Sequence, residues 1–148
     1  MTTAPDTDVR LTIVRGLATG ESSAVIAARL GVSRQAVNVR TYRLAHAYGV
    51  HTRTGLVVHA YVRGWLTPTE PEVPVPWPAR RLYRALVWIA AGMTDRQVAE
   101  RLGLALHTVK TYSQDLRAHY GARHRAHTVA LAIHHGHLPT ARTHKATG

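Results

Sequence analysis

Apolar residues in the second half of the chain recur at the spacing of an amphipathic helix. Five of them stand at i, i+3, i+4, i+7 and i+8, so they share one face of a helix. These are Leu82, Ala85, Leu86, Ile89 and Ala90. A glycine, Gly92, follows directly and is a typical helix stop, so the pattern predicts a first helix that ends there.

Capping signals divide the residues that follow into three further helices. Thr94 and Gln97 have the spacing of a capping box, and an acid at Asp95 suits the helix dipole, so a helix is predicted to begin at Asp95. Glycine turns then separate a third helix, about 106–119, from a fourth, about 125–135. The predicted inward positions are Val98, Ala99 and Leu102, then Val109, Tyr112, Ser113 and Leu116, then Val129, Ala132 and Ile133.

The same pattern occurs earlier in the chain as an internal repeat. A shift of 72 residues aligns Ala27 to Val32 with Ala99 to Leu104, and Tyr48-Gly49 with Tyr120-Gly121, without a gap. The first copy is therefore expected to form the same four helices. Its predicted core and capping positions are Leu11, Val14, Leu17, Ser22, Ala27, Leu30, Ser33, Val57 and Ala60.

The repeat predicts an all-α fold of two tandem four-helix modules, residues 9–66 and 80–138. Residues 67–79 hold five of the seven prolines. Proline lacks a backbone donor and fixes φ, so an extended Pro-rich linker is expected between the modules. The two ends, 1–8 and 139–148, are expected to be disordered.

Composition limits the chemistry and the partners. The chain carries 19 Lys and Arg against 8 Asp and Glu, a formal charge of +11, which indicates a polyanion as partner, nucleic acid first. There is no Cys, and no nucleophile elbow, P-loop or dinucleotide motif occurs, so neither an enzyme nor a cofactor is expected.

Met1 to Arg10 lacks the apolar core of a signal peptide, and the apolar run Leu86 to Ala91 is too short to cross a bilayer. A cytoplasmic protein without a membrane partner is therefore expected.

The eleven histidines raise the question of a metal site. His124 and His127 stand at i, i+3, but neither Cys nor a nearby acidic cluster accompanies them. No metal site is expected, and surface histidines on a DNA-facing protein are the favoured interpretation.

Each module contains two short helices joined by a glycine turn, the second with a polar and basic outer face, as in a helix-turn-helix. The stretch 90–104, together with Thr108-Val109-Lys110 and Arg123-His124-Arg125-Ala126, resembles the LuxR/GerE-type helix-turn-helix DNA-binding domain. Residues 27–38 and 48–53 of the first module are similar. The Leu-Thr-Pro-x-Glu opening of that family is missing from both modules.

The resemblance implies a bacterial, nucleoid-associated transcription regulator with double-stranded DNA as its partner. It also suggests RNA polymerase as a partner and dimerisation through the fourth helix. DNA contacts would lie on the third helix of each module, where Lys110, Thr111 and Gln114 match the family's contact positions. Their counterparts are Asn38, which replaces the family's usual basic residue, with Val39 and Tyr42.

Side-chain chemistry suggests what each predicted contact reads. Lys110 suits a guanine edge or a phosphate, Gln114 and Asn38 can each pair with adenine, and Val39 can meet a thymine methyl group. The two modules should therefore prefer different sequences. The full set of predicted base contacts is Gln35, Asn38, Val39, Tyr42, Arg43, His107, Lys110, Thr111 and Gln114. The predicted phosphate contacts are Arg34, Arg40, Arg53, Thr108, Arg123 and Arg125.

The leading functional hypothesis is a sequence-specific transcription regulator that reads two adjacent major-groove half-sites. Thirteen extended linker residues span on the order of 40 Å, and successive major grooves lie roughly 34 Å apart. A linker folded back with Trp77 between the modules would fix another spacing. Two alternatives stay open: a helical protein-interaction adaptor that uses Leu56, Tyr61 and Val62, and a non-specific DNA-coating protein.

Overall fold

The computed structural model describes residues 5–140, with side chains from Val9 onward, as an all-α protein. No strand occurs within that range, so the predicted fold class is confirmed. The eight helices are α1 (Pro5–Ala18), α2 (Ser23–Leu30), α3 (Arg34–Ala47), α4 (Arg53–Val62), α5 (Arg80–Ala90), α6 (Asp95–Leu102), α7 (Leu106–Tyr120) and α8 (Arg125–His134).

The 72-residue repeat of the sequence is also a repeat of structure. Both ends of α2 and of α4 recur 72 residues later as the ends of α6 and α8. The glycines with positive φ within 5–140 fall into four pairs at the same offset. Gly31 and Gly103, for example, end α2 and α6 with φ of 69° and 68°, a left-handed conformation that favours glycine.

Side-chain caps explain where the short helices begin. The hydroxyls of Ser22 and Ser33 accept hydrogen bonds from backbone N–H groups in the first turns of α2 and α3. Thr94 and Gln97 form the predicted capping box at the start of α6. These predicted starts are therefore confirmed.

One predicted boundary was wrong. The helix α1 begins at Pro5, although residues 1–8 were expected to be disordered; proline suits a first helical position because its missing N–H would have no partner there. The approximate bounds predicted for α7 and α8 agree with the structure to within one residue, since α7 ends at Tyr120 and α8 ends at His134. Residues 1–4 and 141–148 of the predicted disordered ends lie outside the described residues.

The two halves share one continuous apolar core. Helix α4 packs most extensively against α8, while α1 packs on α8 and α5 packs on α4. The last two contacts are equivalent under the 72-residue shift, so the halves meet as two subunits of a symmetric dimer would. The two modules are therefore in direct contact, because the apolar faces of the fourth helices bury each other.

Two equivalent contacts mark this junction between the halves. Gly55 of α4 lies beside Gly92, the glycine that follows α5: a Cβ built on Gly92 would be 3.9 Å from the Gly55 Cα. The equivalent contact, with the two halves exchanged, is between His127 of α8 and Gly20, the glycine after α1. A Cβ built on Gly20 would lie 2.4 Å from the His127 Nδ1, so the bare glycine backbone leaves the space that the imidazole fills.

The linker follows the surface of the molecule without helix or strand over 67–79. His134 of α8 bridges it to α4, because its Nδ1 accepts from the Thr69 N–H at 2.8 Å and its Nε2 lies 2.7 Å from the Tyr61 hydroxyl. Burial raises the pKa of Tyr61 to about 12. Further along, the Trp77 ring stacks on His137, which belongs to the second half. Trp77 is 60% exposed, so the alternative in which it packs between the modules does not hold.

The packed imidazole of His127 makes the junction sensitive to acid. Burial, together with the nearby charges of His124, Arg123 and His134, lowers its pKa to about 4. The ring Nδ1 accepts from the Arg123 N–H at 3.0 Å, which also favours the neutral form. Unfolded His127 would titrate near pH 6.5. Between that pH and the lower pKa of the folded state, the unfolded chain therefore binds a proton that the folded chain does not bind. The contribution of His127 to the free energy of unfolding is thus complete above pH 6.5 and falls as the pH drops toward 4.

We expect His127→Gln to reduce the loss of stability between pH 7.5 and pH 5. The wild-type loss from this residue should be about 1 kcal/mol, after allowance for solvent screening of the partly exposed ring. Glutamine can accept the same N–H bond but does not titrate. Urea unfolding at both pH values measures the effect, with exposed His51→Gln as the matched control. Equal pH dependence in wild type and His127→Gln would contradict the prediction.

Candidate nucleic-acid interface

Each half contains two helices arranged as a helix-turn-helix, α2–α3 and α6–α7. Val37, Thr41 and Ala45 bury one face of α3, and the Thr41 hydroxyl donates to the Val37 carbonyl at 2.7 Å, so this polar group is satisfied. Val109 and Leu116 bury the matching face of α7. The opposite face of each helix is therefore turned to solvent.

All nine residues predicted to contact bases are exposed. The outer face of α3 carries an apolar and aromatic patch, with Val39 41% exposed and Tyr42 70% exposed. The Tyr42 ring stacks on His46 of the next turn. The outer face of α7 is more polar, with Lys110 and Gln114 one turn apart. The two faces differ in chemistry, as the sequence predicts.

The predicted phosphate contacts divide into two groups. Arg34, Arg40 and Arg123 have exposed side chains, and Thr108 is half-buried. The remaining two, Arg53 and Arg125, stand at equivalent positions at the start of α4 and α8, and both bind atoms of their own half.

Arg125 ties the start of α8 to the helix-turn-helix of the second half. Its Nη1 donates to the Asp95 carboxylate at 2.5 Å and to the Ser113 hydroxyl at 3.1 Å, and its Nη2 donates to the Met93 carbonyl at 3.0 Å. The ion pair is partly exposed, so its main effect is to fix geometry.

Arg53 occupies the same place in the first half but has different partners. Its Nη1 donates to the Ser23 hydroxyl at 3.0 Å and its Nη2 donates to the Asn38 Oδ1 at 2.5 Å. Sequence reasoning missed Ser23 as a site residue. The signal was present in the repeat, because Ser23 stands at the position of Asp95 and cannot neutralise an arginine as a carboxylate does.

Residues 80–132 match the family model of bacterial regulatory proteins, luxR family. The segment that matches the luxR family contains α5, α6, α7 and most of α8, and so includes the second helix-turn-helix with Lys110 and Gln114. The family consists of DNA-binding regulators, which are not typically enzymes. No curated protein and no solved structure matches the chain.

The histidines of the described chain do not form a metal-binding group. Within residues 5–140, no three His, Asp or Glu side chains are grouped so that they could hold a metal ion. Over the same range, every helix is too short or too polar to cross a membrane. His124 instead caps α8 by accepting from the His127 N–H, and burial lowers the pKa of His124.

Proposed function

We propose that the chain is a sequence-specific DNA-binding transcription regulator that reads two adjacent half-sites with α3 and α7. The observation that carries the proposal is the symmetric junction. It presents two helix-turn-helix units from one chain, one of them in the segment that matches the luxR family, in the relation that two subunits of a dimer have. Dimeric helix-turn-helix proteins read two half-sites in this way.

The charge of both halves supports this proposal. Residues 9–66 contain eight arginines and one acid, Glu21; residues 80–138 contain eight arginines and Lys110 against three acids. Each half can therefore attract the phosphate backbone independently of sequence, while the exposed faces of α3 and α7 supply the base contacts.

The first half is a second copy of the luxR-type module in this proposal. The bounds of α2 and α4 and its positive-φ glycines repeat those of the second half. The chain would thus contain its own dimer. The adaptor alternative loses its main support, because Leu56 and Tyr61 are buried and Val62 is half-buried.

We expect Lys110→Ala combined with Gln114→Ala to abolish sequence reading by α7 without unfolding the protein. Both side chains are exposed, and each good base contact contributes about 1 to 3 kcal/mol of discrimination. Selection of sites from a random duplex library at fixed salt should give a two-part motif for wild type, with one part lost in the variant. Arg84→Ala removes an exposed charge from α5 and is the control.

Absence of any enriched sequence for the folded wild-type protein would overturn the proposal. Binding with a steep salt dependence but no base preference would instead identify a DNA-coating protein.

A further inference from the structure

Asn38 lies on the exposed face of α3, but its side-chain oxygen already has two donors. The Arg53 Nη2 lies 2.5 Å from the Oδ1, and the Ser23 hydroxyl donates to the same oxygen at 3.0 Å. A guanidinium has only donors, so the atom that faces it must be the amide oxygen. Both lone pairs of that oxygen are used, and the amide NH₂ is the group left for a ligand.

The second half shows why Asn38 is held in this way. The counterparts of Ser23, Arg53 and Asn38 are Asp95, Arg125 and Lys110. Arg125 pairs with the Asp95 carboxylate and leaves Lys110 exposed. In the first half the uncharged Ser23 stands in place of the carboxylate, so the Arg53 guanidinium takes the Asn38 oxygen as a further acceptor.

Both recognition helices therefore present only hydrogen-bond donors at this position. The Asn38 NH₂ has two, and the Lys110 ammonium has three. The adenine pairing predicted for Asn38 needs an amide oxygen that accepts from the adenine N6 amino group, while the NH₂ donates to N7. That oxygen is occupied, and an adenine would place its own donor against a group that offers no free acceptor.

We propose that Asn38, fixed by Arg53 and Ser23, is a donor-only specificity determinant that selects guanine. The major-groove edge of guanine carries two acceptors, O6 and N7, and no donor. The inference rests on the proposed function. It extends that function by naming the base, since Lys110 selects guanine at the equivalent position of the other half-site. Although the two helices differ elsewhere, the two half-sites share a G·C pair at this one position.

The test is a change that releases the Asn38 oxygen. Ser23→Asp copies the second half, removes the Ser23 hydroxyl and draws Arg53 to a carboxylate, and Arg53→Met removes the charged one of the two donors. The base pair that Asn38 contacts is the one whose preference is lost in Asn38→Ala. At that base pair, site selection with the intact chain should favour G·C over A·T by about tenfold. In either releasing variant the preference should move toward A·T, as the freed amide regains both a donor and an acceptor.

Asn38→Lys is the matched control. It converts the position to the residue of the second half and should keep the G·C preference. Wild-type selection of A·T at this position, or retention of G·C in both releasing variants, would overturn the inference while leaving the proposed function standing. A folded wild-type protein that enriches no sequence would overturn both.

Discussion

Gly20→Ala is expected to lower the free energy of unfolding by about 2 to 5 kcal/mol. Two effects add. Gly20 has φ of 88°, which an alanine adopts only with strain of about 1 to 2 kcal/mol. The new methyl group would also stand 2.4 Å from the His127 Nδ1, and overpacking of this kind typically costs about 1 to 3 kcal/mol. Chemical denaturation at pH 7.5 measures the change.

Gly92→Ala is the matched control because Gly92 is the counterpart of Gly20 in the second half. It has φ of 94°, so the backbone strain is similar, but its Cβ would lie 3.5 Å from the Thr52 Oγ1, an ordinary contact. The difference between the two variants therefore isolates the contact between the halves. Equal destabilisation by Gly20→Ala and Gly92→Ala would mean that His127 does not fill this space.

Local signals in the sequence predict the helices well. The caps at Ser22, Ser33 and Thr94 lie where the hydroxyl positions indicate, because a capping bond depends only on residues within one turn. The 72-residue repeat then transfers both ends of α2 and α4 to α6 and α8. The helix start at Pro5 was not predicted, since a polar, proline-containing start is compatible with either a helix or a disordered end.

Contacts between the halves could not be predicted in the same way. The apolar face of α4, with Leu56 and Tyr61, is equally suited to a partner protein, a second copy of the chain or the other half. Only the packing decides that α8 covers it. The position of His127 over Gly20 depends on that packing too, so the histidine looked like a surface residue in the sequence.

The candidate site, like the fold, could be predicted from the sequence only in its local features. The exposed faces of α3 and α7 follow from helical periodicity, and the nine predicted base contacts are all exposed. Their chemistry depends on neighbours that are distant in sequence. Asn38 has a donor and an acceptor as an isolated side chain, but Arg53 and Ser23 use its acceptor. A side chain's capacity to read a base is therefore fixed by its partners in the fold.

We expect the protein to require one fixed spacing between its two half-sites. The junction of α1, α4, α5 and α8 fixes α3 relative to α7. If both helices bind one duplex, inserting five base pairs between the half-sites turns one of them to the opposite face of the DNA, and inserting ten moves it roughly 34 Å along the same face. Because the junction is rigid, α3 and α7 cannot change their relative positions to match either insertion. Each insertion should weaken binding by about 100-fold, toward the affinity of a single half-site.

Two comparisons make this result decisive in a binding assay at fixed salt. The Lys110→Ala and Gln114→Ala double variant has already lost reading by α7, so the insertions should change its affinity little. An intact protein that binds the ten-base-pair insertion as tightly as the selected site would show that the halves separate on DNA. In that case residues 67–79 would set the spacing, since their extended length on the order of 40 Å reaches the next major groove. Retained tight binding to both insertions would point to binding by one half alone.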